Sequence, residues 1–319
     1  MRLVILDWAT MTAHEDLSPE CFRPFADEID CYSLTSPGEA AARIGDAELV
    51  LCNKVPITGE VIEACPNLKY IGLFATGYNN VDIPAATARG IRVCNAGSYS
   101  TNAVAQLVFA FMLDHFSKLP LYNLDVRQGK WCTSPTFSYF PYPTLELAGK
   151  TLSIIGFGSI GKAVAKIADA FGMQVLVSTR TVPAHAPYPM VTLAEAFARA
   201  DVLTLHCPLT EDTSQLVNAI RLGSMKPSAI LINTARGGVV AEHDLAEALN
   251  NDIIAGAYLD VLQQEPMNPD TPLRHAKNCV ITPHIAWAPL ETRQRLLGIV
   301  TDNLQHFLAG NPQNLVNRG

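Results

Sequence analysis

Three polar residues that could perform acid–base chemistry stand just beyond apolar runs in the second half of the chain. They are Arg236, Glu265 and His284. An arginine offers a planar fork of donors that matches a carboxylate. A histidine beside a carboxylate is a general acid, because the negative charge stabilises the imidazolium and holds the ring in place. Each residue alone could be structural, as an ion-pair partner, a solvated carboxylate or a backbone-bonded histidine, but their positions together predict a catalytic group.

A glycine-rich turn upstream of these residues predicts a bound dinucleotide. A short apolar run is followed at 156–161 by G-F-G-S-I-G, the G-x-G-x-x-G pattern that opens a Rossmann unit. Gly156 would make the tight turn, Gly158 would let the backbone approach a pyrophosphate, and Gly161 would let the helix at 162–171 pack closely on the sheet. The phosphates would lie at the N-terminus of that helix, where unpaired amides favour anions.

The residues after the next predicted strand, 174–178, bear on which dinucleotide binds. In NAD-binding units an acidic residue about 20 positions beyond the glycines accepts a hydrogen bond from the ribose 2′-hydroxyl. Thr179 stands there instead, and Arg180 follows it. An arginine with neighbouring hydroxyl groups suits a 2′-phosphate, so NADP is the predicted cofactor. NAD is the alternative, with Arg180 stacked on the adenine or solvated.

Length and composition bound the class of protein. A chain of 319 residues exceeds the size at which single cores stop growing, so two domains are expected. A net charge of −7 with no basic run argues against a nucleic-acid partner. The eight cysteines occur singly without zinc-like spacing, so no metal site is predicted. Met1 to Thr10 is typical of a first strand, not a signal peptide, and no apolar run reaches membrane-spanning length; a cytoplasmic protein is expected.

Short apolar runs alternate with helical patterns, which predicts parallel sheets of an α/β fold. The predicted strands are 3–6, 49–52, 70–74, 92–94, 151–155, 174–178, 202–206, 229–233, 254–259 and 280–282. Two long helical patterns, 101–119 and 290–308, are predicted crossover helices. We therefore expect two doubly wound parallel-sheet domains: a Rossmann cofactor domain at 99–289, inserted into a flavodoxin-like substrate domain at 1–98 and 290–319. A ligand is expected in the cleft between them.

The segment 120–150 is rich in proline and aromatic residues, including Trp131, Phe137 and Phe140. So many rings exceed what a simple exposed loop carries. The segment is either an arm that contacts a second copy of the chain, which makes a homodimer the expected assembly, or a strap packed on its own chain.

Several motifs together resemble the D-isomer-specific 2-hydroxyacid dehydrogenases. These motifs are the glycine-rich turn and the segments 75–82, 99–106, 234–237, 260–266 and 283–287. The resemblance covers essentially the whole chain. Gln106, and Ala286-Trp287 after the histidine, make the chain most similar to the glycerate dehydrogenase (hydroxypyruvate reductase) branch.

The resemblance implies roles for the substrate-site residues. Backbone amides near Thr76 and Gly77 would hold the substrate carboxylate, and Arg236 would bind the carboxylate and the 2-keto oxygen. The nicotinamide would deliver hydride to C2 while His284, paired with Glu265, protonates the oxygen. Lys54 stands where some relatives place a basic residue near the substrate, although a surface lysine is an equal alternative.

The same resemblance implies further contacts to the cofactor. They are Ser159 and Ile160 at the pyrophosphate, Cys207 and Pro208 on the adenosine side, and Thr234, Ala235, Asp260 and Ala286 toward the nicotinamide. The expected activity is reduction of a small 2-keto acid, hydroxypyruvate or glyoxylate, to a D-2-hydroxy acid. The alternative is a dinucleotide-sensing corepressor on the same fold, although such proteins usually carry additional tails.

Overall fold

The computed structural model describes residues 1–182 and 185–317. The chain divides into two compact units, one made of Met1–Ser100 with Ala288–Gly319 and the other of Thr101–Trp287. These bounds lie two residues from the boundaries expected from the sequence. Residues 318 and 319 of the expected substrate domain lie outside the described residues.

The first unit is built on a five-stranded parallel sheet. Its strands are β1 (Arg2–Ile5), β2 (Glu28–Cys31), β3 (Leu49–Cys52), β4 (Tyr70–Leu73) and β5 (Arg92–Cys94), in the order β2-β1-β3-β4-β5. Three helices lie between strands: α1 (Ala40–Ile44), α2 (Gly59–Ala64) and α3 (Ile83–Ala88). The order is flavodoxin-like, and its direction reverses between β1 and β3, where such folds place ligands.

The second unit has a six-stranded parallel sheet in the order β11-β10-β9-β8-β6-β7. The strands are β6 (Thr151–Ile155), β7 (Gln174–Ser178), β8 (Val202–Leu205), β9 (Ile230–Asn233), β10 (Gly256–Leu259) and β11 (Cys279–Ile281). The helices are α4 (Thr101–Ser117), α5 (Leu119–Arg127), α6 (Ser159–Ala170), α7 (Leu193–Arg199), α8 (Ala219–Leu222) and α9 (Glu242–Asn250). Two parallel sheets with helices confirm the predicted α/β class.

The last helix, α10 (Leu290–Leu308), returns the chain to the first unit and has the bounds that its apolar periodicity predicts. The other long helix, α4, ends two residues earlier than predicted, because Lys118 adopts a left-handed conformation with φ of 53°. A capping box formed by Thr192 and Glu195 begins α7. None of the helices in the described ranges is long and apolar enough to span a membrane.

Strand β2 and helix α5 were not predicted from the sequence. Strand β2 reads Glu-Ile-Asp-Cys and lies at the edge of its sheet, where charged side chains are common and the apolar signal is weak. Helix α5 lies in the segment expected to be an arm or strap. This helix has few buried residues, so its sequence lacks the apolar stripe that would predict a helix packed on a core.

Candidate active site

The three residues expected to do chemistry follow three neighbouring strands of the second unit. Arg236 follows β9, Glu265 lies in the loop after β10, and His284 follows β11. These strands are parallel and adjacent in the sheet, so their carboxyl ends lie along one edge. Strand topology therefore collects at one edge residues that are distant in the sequence.

Glu265 and His284 form the closest pair in this group. The His284 Nδ1 and Glu265 Oε2 atoms lie 2.6 Å apart. The other carboxylate oxygen, Oε1, accepts a hydrogen bond of 3.0 Å from the Leu262 amide of the same loop. About a third of each side chain is exposed. One oxygen thus fixes the carboxylate in its loop while the other holds the imidazole, which is the arrangement that a general acid needs.

The backbone of His284 has a φ of 55°, which is uncommon for a residue with a side chain. Asp260, at the end of β10, holds this conformation. Its carbonyl accepts from the His284 amide at 2.9 Å, and its buried carboxylate accepts from the Ile285 and Ala286 amides at 2.8 and 2.9 Å. The Thr282 hydroxyl donates to the same carboxylate at 2.6 Å. Asp260 therefore orients the histidine, and Ala286 is buried beside it.

Arg236 is exposed, and its Nη1 donates to the Ala235 carbonyl at 2.7 Å. Asn233 braces this turn, because its side chain accepts from the Ala235 amide and donates to the Arg236 carbonyl, both at 3.0 Å. The next residue, Gly237, packs so closely that a Cβ atom would overlap the Leu262 carbonyl group. The turn that carries Arg236 thus lies directly against the loop that carries Glu265.

The glycine-rich turn has the close contacts expected from its pattern. Gly156 has a φ of 95°, and a Cβ there would lie 2.7 Å from the His206 carbonyl group. A Cβ on Gly161 would overlap the Gly156 oxygen, so the first turn of the helix packs directly against the glycine-rich turn. Gly158, by contrast, has open space around its missing side chain and is exposed. No side chain caps α6, which begins at Ser159 and Ile160, so its first amides suit an anion.

Neighbouring strands end in buried polar groups that lack a partner among the described residues. They are the Thr234 hydroxyl after β9 and the Nδ1 atom of His206 after β8. The other ring nitrogen of His206 lies 3.0 Å from the Thr204 hydroxyl. Cys207 is buried and Pro208 is exposed in the same segment. An unpaired hydroxyl at Thr234 and an open glycine at Gly158 fit a dinucleotide along this edge.

The residues expected to select the cofactor follow β7. Thr179 is half-buried and Arg180 is exposed. Within residues 1–182 and 185–317, Arg180 forms no ion pair. The acidic side chain typical of NAD-binding units is thus replaced by a hydroxyl and an exposed cation.

Lys54 and the loop at Thr76 and Gly77 belong to the first unit. Lys54 follows β3, and Asp7 follows β1, at the point where the strand order reverses. The buried Asp7 carboxylate accepts hydrogen bonds from three successive backbone amides. The distances are 2.8 Å to Asn53, 2.7 Å to Lys54 and 3.3 Å to Val55. Burial raises the pKa of Asp7, and these amides oppose the shift. This brace was not predicted from the sequence, because its partners follow a different strand.

The loop at Thr76 and Gly77 follows β4 and is exposed or half-buried. The Thr76 hydroxyl donates to the Gly97 carbonyl, and the Asn95 side chain donates to the Thr76 carbonyl at 2.7 Å. Two hydrogen bonds thus hold this loop in shape. Across the described part of the chain, no group of His, Cys, Asp and Glu has the arrangement of a metal site.

Comparison with known proteins identifies the family. The model of the D-isomer specific 2-hydroxyacid dehydrogenase NAD-binding domain matches residues 109–286. The hydroxypyruvate reductase of Blautia hydrogenotrophica is 44% identical and aligns over 100% of both chains. The glycerate dehydrogenase of Methylorubrum extorquens is 42% identical over 92% of this chain and 93% of that protein.

A solved structure supports the same assignment. The NADPH-dependent glyoxylate/hydroxypyruvate reductase of Sinorhizobium meliloti, in complex with NADP and malonate, has a TM-score of 0.83 and 31% identity, covering 99% of this chain and 96% of that one. The names of these relatives favour an oxidoreductase over a dinucleotide-sensing corepressor. The chain belongs to the D-isomer specific 2-hydroxyacid dehydrogenase family.

Proposed function

We propose that the protein reduces a small 2-keto acid, hydroxypyruvate or glyoxylate, to the corresponding D-2-hydroxy acid. A bound reduced nicotinamide supplies the hydride that adds to C2. The observation that carries the proposal is the pairing of His284 with Glu265 at 2.6 Å, beside a turn that presents Arg236. Relatives named hydroxypyruvate reductase, glycerate dehydrogenase and glyoxylate reductase support this substrate class.

Each residue has a distinct role in the proposal. Arg236 binds the substrate carboxylate and the 2-keto oxygen through its planar fork of donors. His284 gives its proton to that oxygen as the hydride arrives, and the Glu265 carboxylate keeps the ring charged and oriented. In the first unit, backbone amides near Thr76 and Gly77 bind the carboxylate. Lys54, held by the Asp7 brace, adds a positive charge for the same acid.

Contacts to the dinucleotide follow the order of the strands. We infer that Gly156, Gly158, Ser159, Ile160 and Gly161 bind the pyrophosphate. Cys207 and Pro208 contact the adenosine side, and Thr234, Ala235, Asp260 and Ala286 lie toward the nicotinamide. The unpartnered Thr234 hydroxyl supports this assignment, because a buried donor without a partner costs free energy unless a ligand pairs with it.

NADP is the cofactor that we propose for this chain. Thr179 removes the carboxylate that would repel a 2′-phosphate, and the exposed Arg180 offers a fork-shaped cation for it. The solved relative from Sinorhizobium meliloti, described as NADPH-dependent, supports this choice.

We also propose that the protein forms a homodimer through residues 120–150, here called the aromatic arm. Phe137 is 93% exposed and Phe140 is 76% exposed. The arm has an internal scaffold, because the buried Asp125 carboxylate accepts from Lys130, Tyr139 and Tyr142 at 2.6–3.0 Å. A braced segment that exposes apolar rings is typical of an interaction surface and is unlike a strap packed on its own chain. Sedimentation should give a dimer, and F137S/F140S should give a monomer.

Product analysis with a conservative variant tests the proposed reaction. Hydroxypyruvate and reduced cofactor should yield D-glycerate, identified by chiral separation. Arg236→Lys should lose more than about 2 kcal/mol of transition-state stabilisation in kcat/KM, because an ammonium cannot reproduce a bidentate contact. The exposed Arg199 on α7 provides a matched control, Arg199→Lys, which should behave as the unmodified protein. Normal kcat/KM for Arg236→Lys would exclude Arg236 from the substrate site.

A further inference from the structure

Glu242 is a half-buried carboxylate in the first turn of α9 that the proposed reaction does not use. Its Oε1 atom accepts from the Gln263 amide at 2.6 Å, and its Oε2 atom accepts from the Thr271 hydroxyl at 3.0 Å. Thr271 is itself buried. Gln263 and Thr271 lie on opposite sides of Glu265 in the loop after β10. The carboxylate therefore bridges the two ends of the loop segment that carries Glu265.

The remaining contacts of this segment make Glu242 an important anchor. On one side, Gly237 packs against the peptide between Leu262 and Gln263. Within the segment, the Leu262 amide donates to Glu265 Oε1. The backbone of Gln263 therefore contacts both the turn that carries Arg236 and the carboxylate of Glu242. Gln263 itself belongs to the loop that carries Glu265. A hydrogen bond to a charged acceptor fixes this peptide more firmly than a neutral one would.

We propose that Glu242 is a positioning residue for the Glu265–His284 pair. By holding Gln263 and Thr271, it fixes the loop at the place where Glu265 Oε2 reaches the imidazole at 2.6 Å. Glu242 acts through the loop and is not assigned a contact with substrate or cofactor. The inference rests on the proposed function, because it assumes that a charged His284 is the proton donor.

The ionisable groups around this anchor are on several elements. Burial, with a smaller contribution from the Glu242 charge, raises the pKa of the Cys279 thiol on β11 to about 12. Asp260 at the end of β10 bonds to the backbone of the His284 loop, and Glu265 bonds to the imidazole itself. Cys279 stays neutral near neutral pH, so it does not obscure a change at His284.

The test uses three variants of α9. Glu242→Ala removes both hydrogen bonds to the loop. Glu242→Gln keeps them, because its amide oxygen can accept from Gln263 and its NH₂ group can donate to the Thr271 hydroxyl. Glu247→Ala is the matched control, since Glu247 is an exposed glutamate of the same helix and forms no side-chain hydrogen bond in the described part of the chain.

Two readouts separate positioning from general destabilisation. NMR of labelled histidines in the protein without cofactor gives the pH at which His284 is half-protonated. In Glu242→Ala this midpoint should move to lower pH, and kcat/KM for keto-acid reduction should fall about tenfold, the size expected for a lost charged hydrogen bond. Glu242→Gln should restore most of both values, because it keeps the two hydrogen bonds without the charge, and Glu247→Ala should change neither. Dinucleotide affinity, measured by fluorescence titration, should stay within about twofold in all three variants.

A Glu265→Gln variant distinguishes the two ways in which the inference could fail. If Glu265→Gln lowers the His284 midpoint and a folded Glu242→Ala does not, the pairing is correct and the role of Glu242 is wrong. If neither variant changes the midpoint, the proposed pairing is itself wrong. Should Glu242→Ala fail to fold, Thr271→Val removes one of the two bonds and should give a smaller shift in the same direction; no shift would overturn the inference.

Discussion

The imidazole of His284 lies 2.6 Å from the carboxylate of Glu265, and the two residues belong to loops that follow neighbouring parallel strands. Each partner is held from its own side. Asp260 orients the His284 backbone, while the Leu262 amide occupies the second oxygen of Glu265. The pair is therefore pre-oriented before any ligand binds, which lowers the cost of proton transfer in a reaction that needs a charged ring.

Replacing Glu265 by glutamine should move the descending limb of the pH profile for reduction to lower pH. Reduction of a ketone consumes a proton, so activity requires protonated His284. The carboxylate favours the imidazolium, and without its charge the ring loses its proton at lower pH. An unchanged limb in Glu265→Gln, with Glu247→Gln as control, would rule out the pairing.

Gly237→Ala should impair both stability and activity, because the added Cβ would overlap the Leu262 carbonyl group. The turn of Arg236 and the loop of Glu265 would have to separate, at a cost of about 3 kcal/mol in the free energy of unfolding. The neighbouring Gly238 is a good control, since a Cβ there meets the end of the flexible Leu209 side chain at 3.0 Å. Denaturant unfolding of both variants checks this, and equal stability would show that the close packing is unimportant.

The unmodified protein should prefer NADPH to NADH by about tenfold or more in kcat/KM, which needs only about 1.4 kcal/mol. Thr179→Asp should shift the preference toward NADH, because a carboxylate accepts from a 2′-hydroxyl and repels a 2′-phosphate. Arg180→Ala should lower kcat/KM with NADPH and leave kcat/KM with NADH unchanged. Equal use of both cofactors by the unmodified protein, or a lead for NADH, would contradict the role of Arg180.

The stability of the protein should fall as the pH is lowered, in part through His206. Burial lowers the pKa of His206 to about 3, well below its ordinary value of 6.5. Below pH 6.5 His206 therefore binds a proton in the unfolded chain but not in the folded chain. The folded state loses stability as the pH falls from 6.5 toward 3. Between pH 8 and pH 5 this contributes about 2 kcal/mol.

Unfolding of a His206→Gln variant at both pH values measures the contribution of this histidine. The loss of stability between pH 8 and pH 5 should be smaller in the variant, by about 2 kcal/mol. His243→Gln changes an exposed histidine on α9 and serves as the control. Between pH 8 and pH 5 this variant should lose as much stability as the unmodified protein does. An identical loss in His206→Gln would show that this ring is protonated in the folded state.

The sequence predicts those elements whose signal is local. The buried strand β3 is a continuous apolar run, and α10 has a regular apolar stripe, so their positions can be read directly. Strand β2 could not be recognised in this way, since an edge strand has little apolar surface to bury. The glycine-rich turn was informative because both Gly156 and Gly161 are required by backbone contact.

The supporting residues of the site were beyond prediction from one sequence. A glutamate in the first turn of a helix is favoured by the helix dipole alone, so nothing in the sequence distinguishes Glu242 from an ordinary surface residue. Its hydrogen bonds join positions 21 and 29 residues apart, and they depend on the crossover that places α9 beside the loop after β10. The aspartate brace at Asp7 is hidden for the same reason, since its partners follow another strand.

The central claim is that the protein is a nicotinamide-dependent reductase of a small 2-keto acid, and initial rates test it most directly. Hydroxypyruvate, glyoxylate, pyruvate, 2-ketobutyrate and phenylpyruvate should each be assayed with NADPH and with NADH. We predict that hydroxypyruvate or glyoxylate gives the highest kcat/KM, by about tenfold or more over phenylpyruvate. No reduction of any of these acids by either cofactor, or a preference for phenylpyruvate, would contradict the account.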